Sequence, residues 1–271
     1  KLSANFRITS LEEAKRLLSE DGTVKWLYRT HDGHHIETVL IPTNDRFSVC
    51  VSTQIGCAQN CAFCRTAKMG FIRNLEAGEI LEEIIRVNWY LEETGTKHSD
   101  GSLAKVTNII FMGMGEPLNN LEQVHRVCCT LHHQKLFNLG RKRMTISTSG
   151  VVPKIKELVD RNTPCCLAVS LNSTNDERRS AVMPVNKVWN IAKLLEATDE
   201  YTRRTGNYVT FEFVLMKGIT CSEEAAKELI RICAPRRCKV NAIVLNDGDD
   251  PTLEAPSPEE IENFLEIVRK A

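Results

Sequence analysis

The sequence predicts an α/β protein, a six-unit partial (β/α)6 barrel preceded by a small N-terminal appendage. From Ser48 onward, short β-branched or apolar runs alternate six times with helical patterns. Parallel neighbouring strands need a crossover, so this alternation indicates a parallel sheet with helices outside it. An open doubly wound sheet satisfies the same pattern. Polar residues that recur at the ends of the predicted strands favour the barrel.

The predicted appendage covers residues 1–47. Ser10 and Glu13 have the spacing of a capping box and predict an amphipathic helix of about ten residues that ends near "SEDG". The following segment, "TVKWLYRTHDGHHIETVLIP", has two runs of β character around Asp32-Gly33 and predicts a hairpin. The barrel then spans residues 48–271. No long linker interrupts it, so we expect no second large domain.

The six units follow one another in chain order. Their strands are predicted at "SVCVST", "VTNIIFMG", "RMTISTS", "CLAVSL", "YVTFEFVLM" and "KVNAIVLN". Their helices are predicted at "AGEILEEIIRVNWYLEE", "LEQVHRVCCTLHHQ", "VPKIKELVDR", "VWNIAKLLEATDEYTRR", "SEEAAKELIRIC" and "SPEEIENFLEIVRK". The last helix has a strong start signal, because Ser257 is a good N-cap and Pro258 suits the first helical position.

Composition limits the possible functions. The 35 basic residues balance 35 acidic ones, so a site for a polyanion must be a local patch. No apolar run approaches the length of about 18 residues that a membrane span needs, and the start lacks the apolar region of a signal peptide. We therefore expect a cytoplasmic protein. Eleven cysteines, an odd number, then indicate reduced thiols, some of them metal ligands.

Cys57, Cys61 and Cys64 form the motif "CAQNCAFC" directly after the first predicted strand of the barrel. Three thiolates on one loop can hold three irons of a 4Fe-4S cubane and leave the fourth iron open to an outside ligand. The alternatives are a zinc site with Cys50 as a fourth thiolate, or buried cysteines without a metal. Zinc motifs usually contain two separated Cys-x-x-Cys pairs, and the sequence has no second pair.

The cysteine spacing resembles the Cys-x3-Cys-x2-Cys signature of the radical S-adenosylmethionine (SAM) superfamily. With "IETVLIP", "GFIRNL", "FMGMGEPLNN", "ISTSGVVP" and "SLNSTNDERRSAVMPVN", the chain resembles the radical SAM adenine-carbon-2 RNA methyltransferases, RlmN and its relatives in the Cfr group. The RlmN side is closer. The resemblance implies a barrel of the radical SAM type, a 4Fe-4S cluster and SAM. It also implies methylation of carbon 2 of adenosine through a 5′-deoxyadenosyl radical, in 23S rRNA and in tRNA next to the anticodon.

The resemblance also implies roles for individual residues. It assigns SAM binding to residues at the ends of the strands: Gly115, Glu116, Ser147, Ser170, Leu171, Asn172 and Asn246. It assigns the general base to Glu37, and to Cys50 the thiol that resolves a covalent link between protein and RNA by forming a disulfide. Without the resemblance, the commoner explanations are cap or turn residues for the SAM set, a solvated carboxylate for Glu37 and a core cysteine for Cys50.

Partners follow from the same reasoning. Four basic clusters could contact RNA phosphates or could form a solvated face: Gly140–Arg143, Arg178-Arg179, Arg203-Arg204 and Arg236–Lys239. The expected partners are 23S rRNA, tRNA and an electron donor such as flavodoxin. We expect a monomer without membrane contact.

Two segments of the resembling family have no counterpart. Its methyl-carrying cysteine lies beyond "IVRK", and none of the eleven cysteines matches it. Its N-terminal RNA-binding helical domain is mostly missing. We therefore expect a chain shortened at both ends, or else a natural short form that uses SAM differently. Two other functions stay open: a radical SAM enzyme that acts on a protein or small molecule, and a non-catalytic RNA-binding metal protein.

Overall fold

Strands alternate with helices along most of the chain, as the sequence predicts. The computed structural model describes residues 9–246 and 252–270, so the predictions for residues 1–8 and for Ala271 lie outside the described residues. The chain divides into two compact units, which are described separately. The first unit comprises Lys1–Gly56, Phe71–Ile146 and Thr163–Cys165. The second unit comprises Cys57–Gly70, Ser147–Asn162 and Cys166–Ala271.

The first unit contains a mixed sheet in the order β1-β2-β3-β4-β7-β8. Its strands are β1 (Leu11–Leu18), β2 (Val24–Thr30), β3 (His35–Thr43), β4 (Arg46–Cys50), β7 (Asn108–Phe111) and β8 (Met144–Thr148). Only the first three residues of β8 belong to the first unit. The pairs from β1 to β4 are antiparallel, whereas β4, β7 and β8 run parallel. A separate antiparallel pair consists of β5 (Gln54–Gly56) and β6 (Phe71–Asn74).

The second unit contains three parallel strands, with β10 between β9 and β11. These strands are β9 (Cys166–Ser170), β10 (Val209–Leu215) and β11 (Cys238–Val244). Phe211 and Phe213 on β10 are buried, and the ring of Phe213 stacks on Phe264 with 5.9 Å between the centroids. Such aromatic burial is a main source of core stability.

Eight α-helices lie in the described residues. They are α1 (Arg65–Lys68), α2 (Ala77–Glu93), α3 (Leu121–His132), α4 (Val152–Asp160), α5 (Asp176–Val182), α6 (Ile191–Thr205), α7 (Glu223–Cys233) and α8 (Pro258–Arg269). At the start of α8, Ser257 and Glu260 form the capping box that the sequence indicates. In the described part of the chain, no helix combines the length and the apolar character that crossing a membrane requires.

The predicted N-terminal helix is wrong, because Leu11–Leu18 is strand β1. The backbone N–H and the hydroxyl of Ser10 donate to Glu82 Oε2 on α2 at 2.6 and 2.7 Å. Arg16 lies over the ring of Tyr90, with its guanidinium carbon 5.0 Å from the ring centroid. Glu82 and Tyr90 are distant in sequence from this segment. Because Ser10 hydrogen-bonds to Glu82, it does not act as the N-cap of a helix. A local pattern therefore cannot detect them.

The other elements of the structure agree more closely with those predicted from the sequence. The hairpin at Asp32-Gly33 is confirmed as β2–β3, and the α/β class with parallel strands is confirmed. The short hairpin β5–β6 and the short helices α1 and α5 are additional to the predicted elements. The boundary between residues 47 and 48 is not a point at which the two units divide, and it stays a prediction.

Candidate functional site

Three cysteines lie on one loop of the second unit. Cys57 begins the loop, and its N–H donates to Gly70 O at 2.9 Å, which brings the two ends of the loop together. Asn60 turns the chain with a φ of +54°, a left-handed conformation that asparagine tolerates better than most residues. Cys64 precedes α1, and its N–H donates to Cys61 O at 3.1 Å. Local hydrogen bonds therefore fix the path of the loop.

An apolar cluster in the second unit supports this loop. Its buried members are Val182, Met183, Val185, Met216 and Leu245. Cys61, Ala62 and Phe63 pack against it, and Ala62 N–H donates to Val182 O at 2.9 Å. Phe63 thus has a packing role in the loop.

The donors of the loop fit an iron-sulfur cluster. All eleven cysteines are described, and none forms a disulfide. Within residues 9–246 and 252–270, no three His, Cys, Asp or Glu side chains converge in a way that would hold one metal ion. Three thiolates on one loop can each bind a different iron of a 4Fe-4S cubane, and the spacing of Cys57, Cys61 and Cys64 is compatible with such a cluster.

The sequence places Arg179 in a basic cluster that either contacts RNA phosphates or forms a solvated face, and both alternatives are wrong for this residue because its side chain is fully buried. Its guanidinium makes four hydrogen bonds: Nε to Leu171 O at 2.8 Å, Nη1 to Asn186 Oδ1 at 2.9 Å, and Nη2 to Ser149 O at 2.7 Å and Ser170 O at 2.9 Å. It thereby joins the segments that follow β8 and β9. No periodic pattern distinguishes it from the neighbouring Arg178, which is why sequence reasoning missed it.

The buried charge of Arg179 is not hydrogen-bonded to a carboxylate, since its four acceptors are carbonyl and amide oxygens. Burial lowers the pKa of Arg179 to about 10, and the nearby Cys61 and Asp176 act in the opposite direction. The guanidinium is therefore still positive at neutral pH. This positive charge lies close to Cys61, one of the predicted cluster ligands.

The predicted SAM residues of the second unit lie at strand ends. Ser147 is half-buried in β8, and Ser170 is the last residue of β9. Leu171 N–H donates to Glu212 O at 3.0 Å. Asn246 follows β11 and is exposed. The carboxyl ends of parallel strands are the usual location of ligand sites in α/β folds.

Asn172 has a structural role that the sequence did not indicate. Its backbone has a φ of +52°, and its Oδ1 accepts a hydrogen bond from Val214 N–H at 3.0 Å. Its Nδ2 donates to Met183 Sδ at 3.4 Å. The side chain thus ties the end of β9 to β10 and to the cluster that supports the cysteine loop. A ligand that engaged this amide would have to replace one of these bonds.

In the first unit, Gly113 and Gly115 follow β7 and lie against a neighbouring backbone segment. A Cβ at Gly113 would lie 2.6 Å from Val51 O, and one at Gly115 would lie 2.5 Å from Gln54 Cβ. Gln54 Oε1 accepts a hydrogen bond from Glu116 N–H at 2.8 Å. The buried Glu116 caps the turn that follows, because its Oε1 accepts from the N–H of residue 118 at 3.0 Å. Only glycine fits at these two positions.

Glu37 and Cys50, the predicted base and resolving thiol, lie on adjacent antiparallel strands of the first unit. Glu37 Oε1 is 2.6 Å from Lys25 Nζ, and both side chains are partly exposed. Burial, together with the charges of Glu83 and Glu37, raises the pKa of Cys50 to about 12. Cys50 is therefore a neutral thiol at physiological pH. It needs a proton acceptor before it can act as a nucleophile.

Glu83 on α2 is a buried carboxyl that sequence reasoning also missed. Its Oε2 accepts hydrogen bonds from Thr38 Oγ1 at 2.5 Å and Ser52 N–H at 3.1 Å, whereas its Oε1 is buried without a partner. Burial raises the pKa of Glu83 well above its ordinary value. The carboxyl therefore holds a proton in the folded state under conditions in which an exposed glutamate has lost it.

We expect Glu83→Gln to change how stability depends on pH. In the wild type, the free energy of unfolding should fall as the pH rises above the ordinary glutamate pKa, because the unfolded chain releases the proton first. The variant should lack this decline, so its free energy of unfolding should exceed that of the wild type in alkaline buffer. Below the ordinary pKa the two should agree within about 1 kcal/mol, because the amide can replace the acid.

Urea unfolding across pH measures the effect of Glu83→Gln. Glu92→Gln is the matched control, because Glu92 is exposed on the same helix. Parallel pH profiles for wild type and Glu83→Gln would show that Glu83 is ionised in the fold.

The remaining basic clusters are partly neutralised. Arg204 Nη1 lies 2.7 Å from Asp160 Oδ1, and Arg236 Nε lies 3.0 Å from Asp199 Oδ1. Arg178 is partly exposed and lies 3.3 Å from Glu224. These ion pairs reduce the charge that each arginine offers to a phosphate. RNA contact at these clusters stays a prediction.

Comparison with known proteins identifies similar sequences over nearly the whole chain. A family model described as Radical SAM superfamily matches residues 51–230. The chain is 40% identical over 268 residues to a dual-specificity RNA methyltransferase RlmN of Anaeromyxobacter dehalogenans (strain 2CP-C), covering 99% of this chain and 71% of that protein. It is also 40% identical to the dual-specificity RNA methyltransferase RlmN 2 of Myxococcus xanthus (strain DK1622), covering 99% of this chain and 70% of that one.

Solved structures show the same similarity. A radical SAM methyltransferase from Sphaerobacter thermophilus superposes with a TM-score of 0.92 at 41% identity, covering 99% of this chain and 77% of that chain. The hydrogenase maturase HydG superposes with a TM-score of 0.59 at 15% identity, covering 83% of this chain and 49% of that chain. The second likeness concerns the fold alone.

Proposed function

Because this chain belongs to the radical SAM superfamily, and within it to the RlmN-type RNA methyltransferases, we propose that it methylates carbon 2 of adenosine in 23S rRNA and in tRNA next to the anticodon. Its 40% identity to a dual-specificity RlmN over 268 residues carries the proposal. The fold is of the radical SAM type, and a 4Fe-4S cluster and SAM are its cofactors.

In this proposal, Cys57, Cys61 and Cys64 hold the cluster. Their loop is fixed by the bond from Cys57 N–H to Gly70 O and by packing on the apolar cluster around Met183. When bound, the cluster and SAM supply the one-electron chemistry that polar methyl transfer to adenine carbon 2 lacks. The residues proposed to hold SAM are Gly115, Glu116, Ser147, Ser170, Leu171, Asn172 and Asn246. Glycines at 113 and 115 let the segment that carries Glu116 pack closely against Val51 and Gln54, which fixes the position of this segment.

Glu37 and Cys50 are proposed to complete the reaction. Glu37 would take the proton from carbon 2 of the adenine. The Cys50 thiol would then attack the sulfur of the methyl-carrying cysteine, so that an S–S bond forms while the bond from that sulfur to the adenine-linked carbon breaks and leaves its electron pair on the carbon. In the RlmN-type enzymes this second cysteine lies beyond "IVRK", and none of the eleven cysteines of this sequence matches it. The raised pKa of Cys50 keeps the thiol neutral until a base is available. A neutral thiol does not attack prematurely, which suits a residue that acts in the last step.

We also propose that the enzyme acts as a cytoplasmic monomer without membrane contact and takes its electron from a carrier such as flavodoxin. The RNA substrate supports the location, since both ribosomal and transfer RNA are cytoplasmic.

The test uses the protein at its full encoded length, with the cluster assembled without oxygen. With methyl-labelled SAM and either 23S rRNA or tRNA, we expect label in 2-methyladenosine. Cys61→Ala should lose iron binding and activity together, whereas Cys129→Ala should keep both, since Cys129 is exposed on α3, outside the loop. Formation of 5′-deoxyadenosine without labelled RNA would indicate a different substrate class. Zinc in place of iron would contradict radical chemistry.

A further inference from the structure

Two cysteines outside the proposed site lie in contact where α7 leads into β11. Cys233 is the last residue of α7, and Cys238 is the first of β11. The Cys238 thiol donates a hydrogen bond to Cys233 O at 3.7 Å, which places the two residues in contact. A tight turn brings them together, because Arg236 N–H donates to Cys233 O at 2.9 Å and Cys238 N–H donates to Arg236 O at 3.1 Å.

Both thiols border an apolar cavity of about 210 Å³. Its other lining residues include Leu229, Ile230, Val240 and Val268. Both cysteines are half-buried, so reagents of low molecular weight can reach them. By contrast, Cys128 and Cys165 influence one another but are both buried.

The two thiols differ in acidity. The hydrogen bond from Cys233 and the nearby Arg236 lower the pKa of Cys238 to about 7, whereas the pKa of Cys233 is raised. Arg236 is held in place by bonds from Nε and Nη2 to Asp199 at 3.0 and 3.2 Å. A thiolate next to a protonated thiol is the arrangement found in dithiols that exchange with disulfides.

We propose that Cys233 and Cys238 form a redox-active dithiol, a modification site that reacts with low-molecular-weight disulfides such as oxidised glutathione. The Cys238 thiolate attacks one sulfur of glutathione disulfide, which forms a mixed disulfide and expels one glutathione thiolate. The Cys233 thiol then loses its proton and attacks Cys238 Sγ, expelling the second glutathione. The pair loses two electrons and two protons, and glutathione disulfide gains them.

This site is separate from the proposed methyltransferase chemistry, in which only Cys50, Cys57, Cys61 and Cys64 take part. The new bond would join the end of α7 to the start of β11 across a turn of four residues, Ala234 to Arg237. In the reduced protein, hydrogen bonds hold this turn in shape. The disulfide would add a reversible covalent bond between its two ends.

The cluster-loaded protein is exposed to glutathione disulfide without oxygen, and its cysteines are then alkylated and mapped by mass spectrometry. We expect a Cys233–Cys238 disulfide in the wild type. In Cys233→Ser, glutathione should stay on Cys238, because no second thiol can displace it. At pH 7, Cys238 should react at least about fivefold faster than Cys129, since its larger thiolate fraction outweighs its lower intrinsic nucleophilicity.

Cys129 is the matched control, an exposed thiol whose pKa is raised by partial burial. The rate at Cys238 should reach half its maximum near pH 7, whereas the rate at Cys129 should still be rising at pH 9. Two results would overturn the proposal: no linked peptide in the wild type, or reaction of Cys238 no faster than that of Cys129. Cys238→Ser should keep Cys233 unmodified, and rapid glutathionylation of Cys233 in that variant would contradict the assigned order of attack.

Discussion

Replacing Arg179 by methionine is expected to lower the free energy of unfolding by about 3 kcal/mol or more and to weaken SAM binding. The change removes the donors for three buried carbonyl oxygens and the Asn186 amide oxygen. Each buried acceptor left without a partner costs about 1–3 kcal/mol. The segments concerned, after β8 and β9, carry several of the proposed SAM residues. Loss of their fixed geometry should therefore reduce affinity as well as stability.

Arg179→Lys distinguishes charge from geometry. Lysine keeps the positive charge, but a single ammonium cannot reproduce the planar fork that reaches acceptors in several directions. We expect it to retain part of the stability and part of the SAM affinity. If the charge near Cys61 also matters, Arg179→Lys should bind more iron per chain than Arg179→Met does.

The neighbouring Arg178 gives the matched control. It is partly exposed and paired with Glu224 at 3.3 Å, so Arg178→Met should cost less than about 1 kcal/mol. Urea unfolding of the metal-free protein measures stability without the cofactor, and equilibrium dialysis of the loaded protein measures SAM affinity. Equal stabilities for the two methionine variants would show that the buried guanidinium does not organise these loops.

The second large effect is expected at the glycines after β7. Gly115→Ala should cost about 3 kcal/mol or more, because it combines a φ of +103° with a Cβ 2.5 Å from Gln54 Cβ. Gly113→Ala measures the effect of steric crowding on stability alone, since its Cβ would meet Val51 O at 2.6 Å but its φ is not positive. Gly33→Ala isolates the backbone strain, with a φ of +86° and open space around it.

Gly140→Ala is the control for these three variants, because Gly140 has open space around it and no positive φ. Its free energy of unfolding should stay within about 0.5 kcal/mol of the wild type. Gly113→Ala and Gly115→Ala should also lower SAM affinity about tenfold or more, whereas Gly33→Ala should lower stability alone. A Gly113→Ala variant as stable as Gly140→Ala would contradict the close backbone approach.

Sequence reasoning succeeded wherever a local pattern carried the information. The alternation of apolar runs and helical periods identified the six predicted strands and their following helices, and Ser257 with Pro258 marked the start of α8. Reasoning failed at β1, because Ser10 hydrogen-bonds to Glu82, 72 residues away, instead of capping a helix. It also missed α5, a helix too short to show a period clearly.

The candidate site divides in the same way. Cys57, Cys61 and Cys64 could be proposed as cluster ligands from spacing, because all three lie within eight consecutive residues. Arg179 and Glu83 could not, since their burial depends on segments far away in sequence. Arg179 stands beside the partly exposed Arg178. Glu83 shares α2 with two exposed glutamates, Glu92 and Glu93, and with the buried Glu79 and Glu82, so residue type alone does not show which carboxyl is buried.

The amino-acid sequence by itself determined the α/β class, the cysteine motif and the family, because strand and helix periods and ligand spacing are written in neighbouring residues. The tertiary structure alone decided which charges are buried. It placed Arg179 among four uncharged acceptors, raised the pKa of Glu83 by burial and brought Cys233 into contact with Cys238. The physical reason is that desolvation and hydrogen bonding depend on which segments meet in space, and a local pattern does not contain that information.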